Sequence, residues 1–355
     1  MNNAHYFLGS SSSAGFKKPI KEILNDTDNT VYILKGTPGS GKSTLMKKIS
    51  EAFSESKQDI YHCSADPDSL DAVYLTDKKA LIIDGTAPHC IDPEYPKAVQ
   101  TIVDIGAYIE AAKLRSKKNE LIALTDEYSD CHKRCRSCLS AVSSVIDDIM
   151  ASADSLLLNE KLDSFTERFI KRILPKNSDS CGKLITRQRS AVTMNGCSAY
   201  LPESGKIYLL KDDNISGAAR FLEKAAKLIC ERGYTVQASR CYLSKNEFIE
   251  HITVPEADIH FITSNCINSL NVPETEKEIN FRRFYDSKAL RDNDNIKQRI
   301  KFGKRACAEF LKESAAALID AKSIHDKIES YYISAADFDG IGRLAYKLIS
   351  DIRSL

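Results

Sequence analysis

Eight consecutive residues, Gly36-Thr37-Pro38-Gly39-Ser40-Gly41-Lys42-Ser43, match the spacing GxxxxGK[ST] in full. Glycines at those places let a loop turn with its N–H groups pointing inward at phosphate oxygens, and a helix starting after the loop adds its partial positive charge. In this pattern Lys42 reaches the β and γ phosphates while the Ser43 hydroxyl ligates Mg²⁺. The residues expected to hold a nucleotide are these eight together with Thr44, and the expected cofactors are ATP and Mg²⁺.

A carboxylate for the Mg²⁺ shell is offered by Ala80-Leu81-Ile82-Ile83-Asp84. Four apolar residues suit a buried central strand that delivers Asp84 at its C-terminal end. The next position is Gly85, where many ATPases of this architecture carry a glutamate that polarises the attacking water, so fast autonomous hydrolysis is not expected. Substitutes are His62, Asp66 and Asp68 after the second strand, or His89 and Asp92 after the third. Both segments leave the C-terminal ends of strands, the edge where ligands bind in open α/β sheets. Each also has a plain local reading, Asp66-Pro67-Asp68 as a turn and cap and Pro88-His89 as loop. The expected catalytic set is Lys42, Asp84, His89, Asp66 and Asp68, with Ser43 and Asp84 as metal ligands.

The elements that position these residues are visible on either side of the loop. Val31 to Leu34 is an apolar, β-branched run, and Leu45, Ile49 and Phe53 recur at helical spacing after it. A shift of 176 residues lays Val31-Tyr32-Ile33-Leu34-Lys35 on Ile207-Tyr208-Leu209-Leu210-Lys211 and Ser40-Gly41 on Ser216-Gly217. The same shift pairs Leu114-Arg115 with Leu290-Arg291, Asn119 with Asn295 and Cys131 with Cys307, which indicates an internal duplication. In the second copy Gly36 and Gly39 become Asp212 and Ile215, and Lys42-Ser43 becomes Ala218-Ala219. With a three-residue insertion, Asp84 becomes Thr263. The second copy is expected to keep the fold and to have lost nucleotide binding, Asp212 and Asp213 adding negative charge where polyphosphate would sit.

Taken together, "HYFLGSSSSAGF", "ILKGTPGSGKST", "HCSADPDSLDAV" and "DGTAPH" resemble a family of bacterial tandem P-loop proteins described as predicted ATPases, about this long and duplicated in the same way. Members of that family can carry a recognisable P-loop in the second half as well, and this sequence departs from them there. The resemblance implies ATP binding and brings no substrate with it.

After the third strand each half turns helical. Leu121, Leu124, Tyr128, Cys131, Cys135, Cys138, Val142, Val145 and Ile149 alternate spacings of three and four, a heptad seam, and the run from Ile296 through Cys307, Phe310 and Ser314 to Ile328 repeats it. Each run reads as the first arm of a helical hairpin returning near 154–174 and 337–353. Cys131, Cys135 and Cys138 match CxxxCxxC, a spacing that holds iron–sulfur clusters in loops. On a continuous amphipathic helix the same three residues read as small apolar packing groups.

The expected fold is thus α/β, two duplicated P-loop NTPase-like parallel-sheet domains, each with a long helical hairpin. Residues 1–175 form the domain with the intact loop, residues 185–355 the degenerate copy, and 175–185 the linker. The chain has 50 Lys and Arg against 49 Asp and Glu, so no global field recruits nucleic acid or anionic membrane. It shows neither a signal-peptide pattern nor a run of 18 apolar residues, and its 11 cysteines are expected to be reduced, which together point to the cytoplasm.

The expected function is ATP binding with slow Mg²⁺-dependent hydrolysis in the first half, beside a non-binding pseudo-repeat. The pseudo-repeat could supply an arginine to the γ-phosphate from among Arg187, Arg189, Arg220, Arg240, Arg282 and Arg283. The alternatives are a small-molecule or nucleotide kinase and an ATP-gated module whose hairpins bind a protein partner.

Overall fold

The structure, a computed structural model, describes residues 3–87 and 90–355. The first half contains the strands β1 (Ala4–Phe7), β2 (Ser10–Ser12), β3 (Gly15–Lys17), β4 (Thr30–Lys35), β5 (Gln58–His62), β6 (Leu70–Leu75), β7 (Ala80–Asp84) and β8 (Gln100–Asp104). Its helices are α1 (Lys21–Leu24), α2 (Lys42–Ala52), α3 (Ala111–Arg115), α4 (Lys118–Asp154) and α5 (Asn159–Ile173). The second half repeats this layout as β9 (Leu184–Thr186), β10 (Ser190–Thr193), β11 (Gly196–Ala199), β12 (Lys206–Lys211), β13 (Val236–Arg240), β14 (Ile249–Val254), β15 (Ile259–Ser264) and β16 (Lys277–Asn280). Its helices are α6 (Ser216–Glu231), α7 (Ser287–Asp292), α8 (Asp294–Ile333) and α9 (Phe338–Arg353).

The two six-stranded sheets have the same strand order, β1-β5-β6-β7-β4-β8 and β9-β13-β14-β15-β12-β16. Their registers agree as well. Leu34 lies opposite Asp84 and its counterpart Leu210 lies opposite Thr263, so the correspondence of Asp84 with Thr263 holds residue for residue.

Both sheets are mixed, which corrects the expectation of parallel sheets. β6 is antiparallel to β5 and β7, and β14 is antiparallel to β13 and β15. The cause is loop length: residues 63–69 and 76–79 are too few for a crossover helix, so the chain returns beside the strand it has just left.

Two compact units emerge, and they are composed differently from the sequence halves divided at 175–185. The first comprises the chain up to Gly9, Lys18–Cys135 and Ala315–Leu355; the second comprises Ser10–Lys17 and Arg136–Ser314. The far end of α8 and all of α9 therefore belong with the intact loop, while the far end of α4 and all of α5 belong with the degenerate one.

Side-chain alternation along the strands explains both covers. In the first unit Tyr32, Leu34, Ile60, Val73, Ile82 and Val103 point to one face, where Leu45, Met46 and Ile49 of α2 meet Ile341, Ala345, Leu348, Ile349 and Ile352 of α9. The opposite face, with Val31, Ile33, Ala72, Leu81 and Ile83, is closed by Leu8, Ile20, Ile23 and Ile91. In the second unit α5 lays Phe165 and Phe169 among Tyr208, Phe221, Phe261 and Phe284, with Phe169 edge-on to Tyr208 at 5.3 Å.

The long helices also pair differently from the hairpins expected. In the first unit the start of α4 faces the end of α8, with Arg134 3.2 Å from Asp320 and the Tyr331 hydroxyl donating to Glu120 at 2.7 Å. In the second unit the end of α4 faces the start of α8, where a Cβ on Gly303 would meet Ile149 at 2.8 Å. The return helices α5 and α9 lie instead with α6 and α2. The seam of α8 runs Cys307, Leu311, Ser314, and Phe310, read above as a seam residue, faces solvent.

All eleven cysteines are free thiols. Cys131, Cys135 and Cys138 lie on the uninterrupted helix α4, with Cys135 buried. No helix among the described residues is long and apolar enough to cross a membrane.

Candidate nucleotide site

The turn from β4 into α2 requires its glycines. Gly39 and Gly41 have φ of +67° and +77°, a left-handed conformation that residues with a Cβ adopt only under strain. Ser40 is buried and its hydroxyl donates to the Thr37 carbonyl at 2.8 Å, which ties the loop across its middle. The eleven-residue helix α2 starts from Gly41 with no side-chain cap and no acidic residue in its first turn. Its first N–H groups are thus left to an outside acceptor, the arrangement that favours anions.

Lys42 folds over this loop. Its Nζ donates to the Thr37 carbonyl at 2.9 Å and the Gly36 carbonyl at 3.4 Å, and lies 3.8 Å from Asp84 Oδ2. Both side chains are nearly buried, 12% and 14% exposed, so their attraction is screened less than that of a surface pair. Asp84 Oδ1 accepts from the Thr86 N–H and hydroxyl at 2.8 and 2.6 Å, which fixes the carboxylate at the end of β7. Ser43 Oγ accepts from the Leu70 N–H at 3.0 Å and keeps its own proton and a second lone pair.

These groups line a cavity of about 750 Å³. Of the residues expected to hold a nucleotide, all but Thr37 line it; Thr37 serves through its carbonyl. Asp66 lines it as well, accepting from Ser69 Oγ at 3.0 Å and standing 3.4 Å from Lys322 Nζ. Asp68 does not: it is exposed, and its carbonyl accepts from Lys47 at 2.7 Å. His62 is engaged elsewhere, 2.8 Å from the Pro67 carbonyl and 2.9 Å from His5. Asp92 is 91% exposed and also outside the cavity. His89 lies outside the described residues.

The rest of the wall comes from residues that sequence reasoning passed over. Tyr128 and His132 of α4 meet edge to face at 4.6 Å, and Lys322, His325, Glu329, Ile333 and Phe338 arrive from the second sequence half. The Gly39 N–H donates to Glu329 Oε1 at 3.1 Å, a contact across 290 positions. No short-range pattern announces such a pairing.

None of the six arginines proposed as donors lines this cavity; all belong to the second unit. Arg220 grips Asp163 with two bonds of 3.1 and 2.8 Å, Arg240 stands 3.6 Å from Glu223, and Arg283 lies over Phe165 and Phe284. Lys322, from the second sequence half, lines it instead.

In the second unit the corresponding turn is shorter and holds different chemistry: α6 starts at Ser216, the counterpart of Ser40, two residues earlier than α2 does. Ile215 has φ of +68°, the angle of its counterpart Gly39. Asp212 is buried, and its carboxylate accepts from Ala218 N–H at 2.9 Å, Asn214 N–H at 3.1 Å and the Tyr285 hydroxyl at 2.9 Å. Tyr285 Oη accepts in turn from Gly217 N–H at 2.8 Å. The N–H groups that would cradle a phosphate are satisfied from within.

One further constellation has the residue types of a catalytic triad with the hydrogen bonding reversed. Ser190 Oγ lies 2.7 Å from His251 Nε2, with Glu250 nearby. The Thr263 N–H donates to His251 Nδ1 at 3.1 Å, so the neutral ring carries its proton on Nε2 and donates to the serine instead of accepting from it. Burial pushes Glu250 up from 4.5 to about 7. The folded state therefore binds a proton that the unfolded state has lost between those values, and stability falls as pH rises through that window. Glu250→Gln is expected to leave the midpoint of urea unfolding unchanged near pH 4.5 and to raise stability by up to about 3 kcal/mol at pH 8. His251, which burial lowers to about 3, is present in both proteins and cancels from the comparison.

No family model matches the chain, and no curated protein or solved structure matches it.

Proposed function

We propose that the first unit binds ATP with Mg²⁺ and hydrolyses it slowly, and that the second unit is a non-binding pseudo-repeat. The observation that carries this reading is the uncapped start of α2 behind a GxxxxGK[ST] loop, with Lys42 and Asp84 facing one cavity. The N–H groups of the loop and Lys42 would hold the phosphates; Ser43 and Asp84 would hold the metal, which would neutralise charge developing on the phosphoryl oxygens. Gly85 follows Asp84 directly, so Asp66, Asp71 and Glu329 are the carboxylates of the cavity left to order a water, and slow turnover follows.

Phosphate release from Mg²⁺-ATP by the wild type beside Lys42→Ala tests this. The wild type is expected to release phosphate slowly and the variant at least ~100-fold more slowly, the scale on which a lost charge-stabilising group acts. Release that survives the substitution would refute the assignment.

A second reading is a kinase. It draws support from Asp66, Tyr128, His132, Lys322 and His325, polar side chains that line the same cavity and could bind an acceptor. Its mark would be ADP formation that depends on an added hydroxyl or phosphate acceptor.

A further inference from the structure

We propose that Glu329 is an internal competitor for the phosphate site, a carboxylate that an incoming polyphosphate must displace from the loop. This rests on the nucleotide reading above and adds a gate to it. Glu329 Oε1 accepts from the Gly39 N–H at 3.1 Å, and a carboxylate oxygen serves such a donor as a phosphate oxygen does. The α8 backbone lies directly on the loop, since a Cβ on Gly39 would stand 2.9 Å from the Glu329 carbonyl oxygen and 3.2 Å from its Cα. A phosphate and this carboxylate cannot share the amide without like charges meeting in a partly dry cavity.

The second unit has a carboxylate set permanently against loop amides, though different ones: Asp212 takes the N–H groups of Asn214 and Ala218, while the Ile215 N–H, the counterpart of Gly39, donates to the Asp212 backbone carbonyl. Asp212 is buried there and held by three donors, whereas Glu329 has one backbone donor and a side chain 31% exposed. The first arrangement closes a cradle for good; the second can open. His325 Nδ1, 3.7 Å away and one helical turn earlier, stands beside the carboxylate and could receive it once it leaves the amide. Because Glu329 is part of α8, phosphate arriving at residues 36–44 would alter what holds the end of a 40-residue helix. Binding at the loop would thus be read out by residues near 329.

The experiment is calorimetric titration of full-length wild type, Glu329→Gln and Glu329→Ala with Mg²⁺-ATP and, separately, with Mg²⁺-tripolyphosphate. Glutamine keeps the shape and removes the charge, so both ligands are expected to bind it at least about tenfold more tightly than the wild type, and the alanine variant likewise. Melting curves check that both variants fold. Equal or weaker binding by both variants would overturn the gate while leaving the nucleotide reading intact. Binding of neither ligand to any of the three proteins would overturn both.

Discussion

A chain stopped after Ala336, which lacks α9, is expected to have no folded first unit. Ile341, Ala345, Leu348, Ile349 and Ile352 of that helix are all less than 10% exposed and cover the same sheet face as α2. Truncating one large buried aliphatic side chain costs about 2–5 kcal/mol. Four are lost at once here, against a whole stability of roughly 5–15 kcal/mol for a typical domain. Limited proteolysis should then cut freely within residues 18–135. The graded version is Leu348→Ala, for which urea unfolding should show a loss of about 3 kcal/mol. A truncated chain that resists protease and melts as the full one does would mean that α9 is an accessory, not a layer of the core.

The second large effect is expected from Gly39→Ala. At φ +67° an alanine meets a left-handed penalty of about 1–2 kcal/mol. Its Cβ would also stand 2.9 Å from a backbone oxygen of α8, an atom that no rotamer can move aside. Loop or helix must give way, so the variant should lose about 2–4 kcal/mol of stability and bind Mg²⁺-ATP at least ~10-fold more weakly. Chemical denaturation and titration read the two effects separately. The second unit shows why the angle alone is survivable: Ile215 adopts it too, but its side chain is 2% exposed, and burying an isoleucine contributes about 1.5–3 kcal/mol against the strain.

How far the molecule could be read from its sequence depends on the range over which each signal acts. The β4–loop–α2 segment was legible because strand, glycines and helix are adjacent, and each residue type states its own backbone requirement. The long helices are legible because a heptad pattern survives over many turns, although the spacing in α8 points to Phe310 where Leu311 takes the seam. β6 is hidden because Leu70–Leu75 follows directly on the polar run Asp66 to Ser69 and reads with it as one loop. Pairing of α4 with α8, and of α9 with α2, left no trace at all, since amphipathic helices advertise a face and not a partner. Glu329 and Lys322 belong to that class: each stands on the hydrated flank of a seam helix, where a functional carboxylate or ammonium reads like any solubilising charge.

The exchange of terminal helices has a consequence for how the protein is made. Synthesis runs from the N-terminus, yet the unit that contains the N-terminus cannot be closed until its last helix, ending near residue 353, has left the ribosome. The second unit has all its parts once residue 314 has emerged, so it can complete its fold before the first unit does. At about 5–20 residues per second, the strands around the glycine loop wait roughly 10–40 s after Cys135 is joined before α9 can cover them. Throughout that interval the apolar sheet face of Tyr32, Leu34 and Ile82 is uncovered by α9, which makes the nascent chain, more than the finished protein, the state most in need of a chaperone.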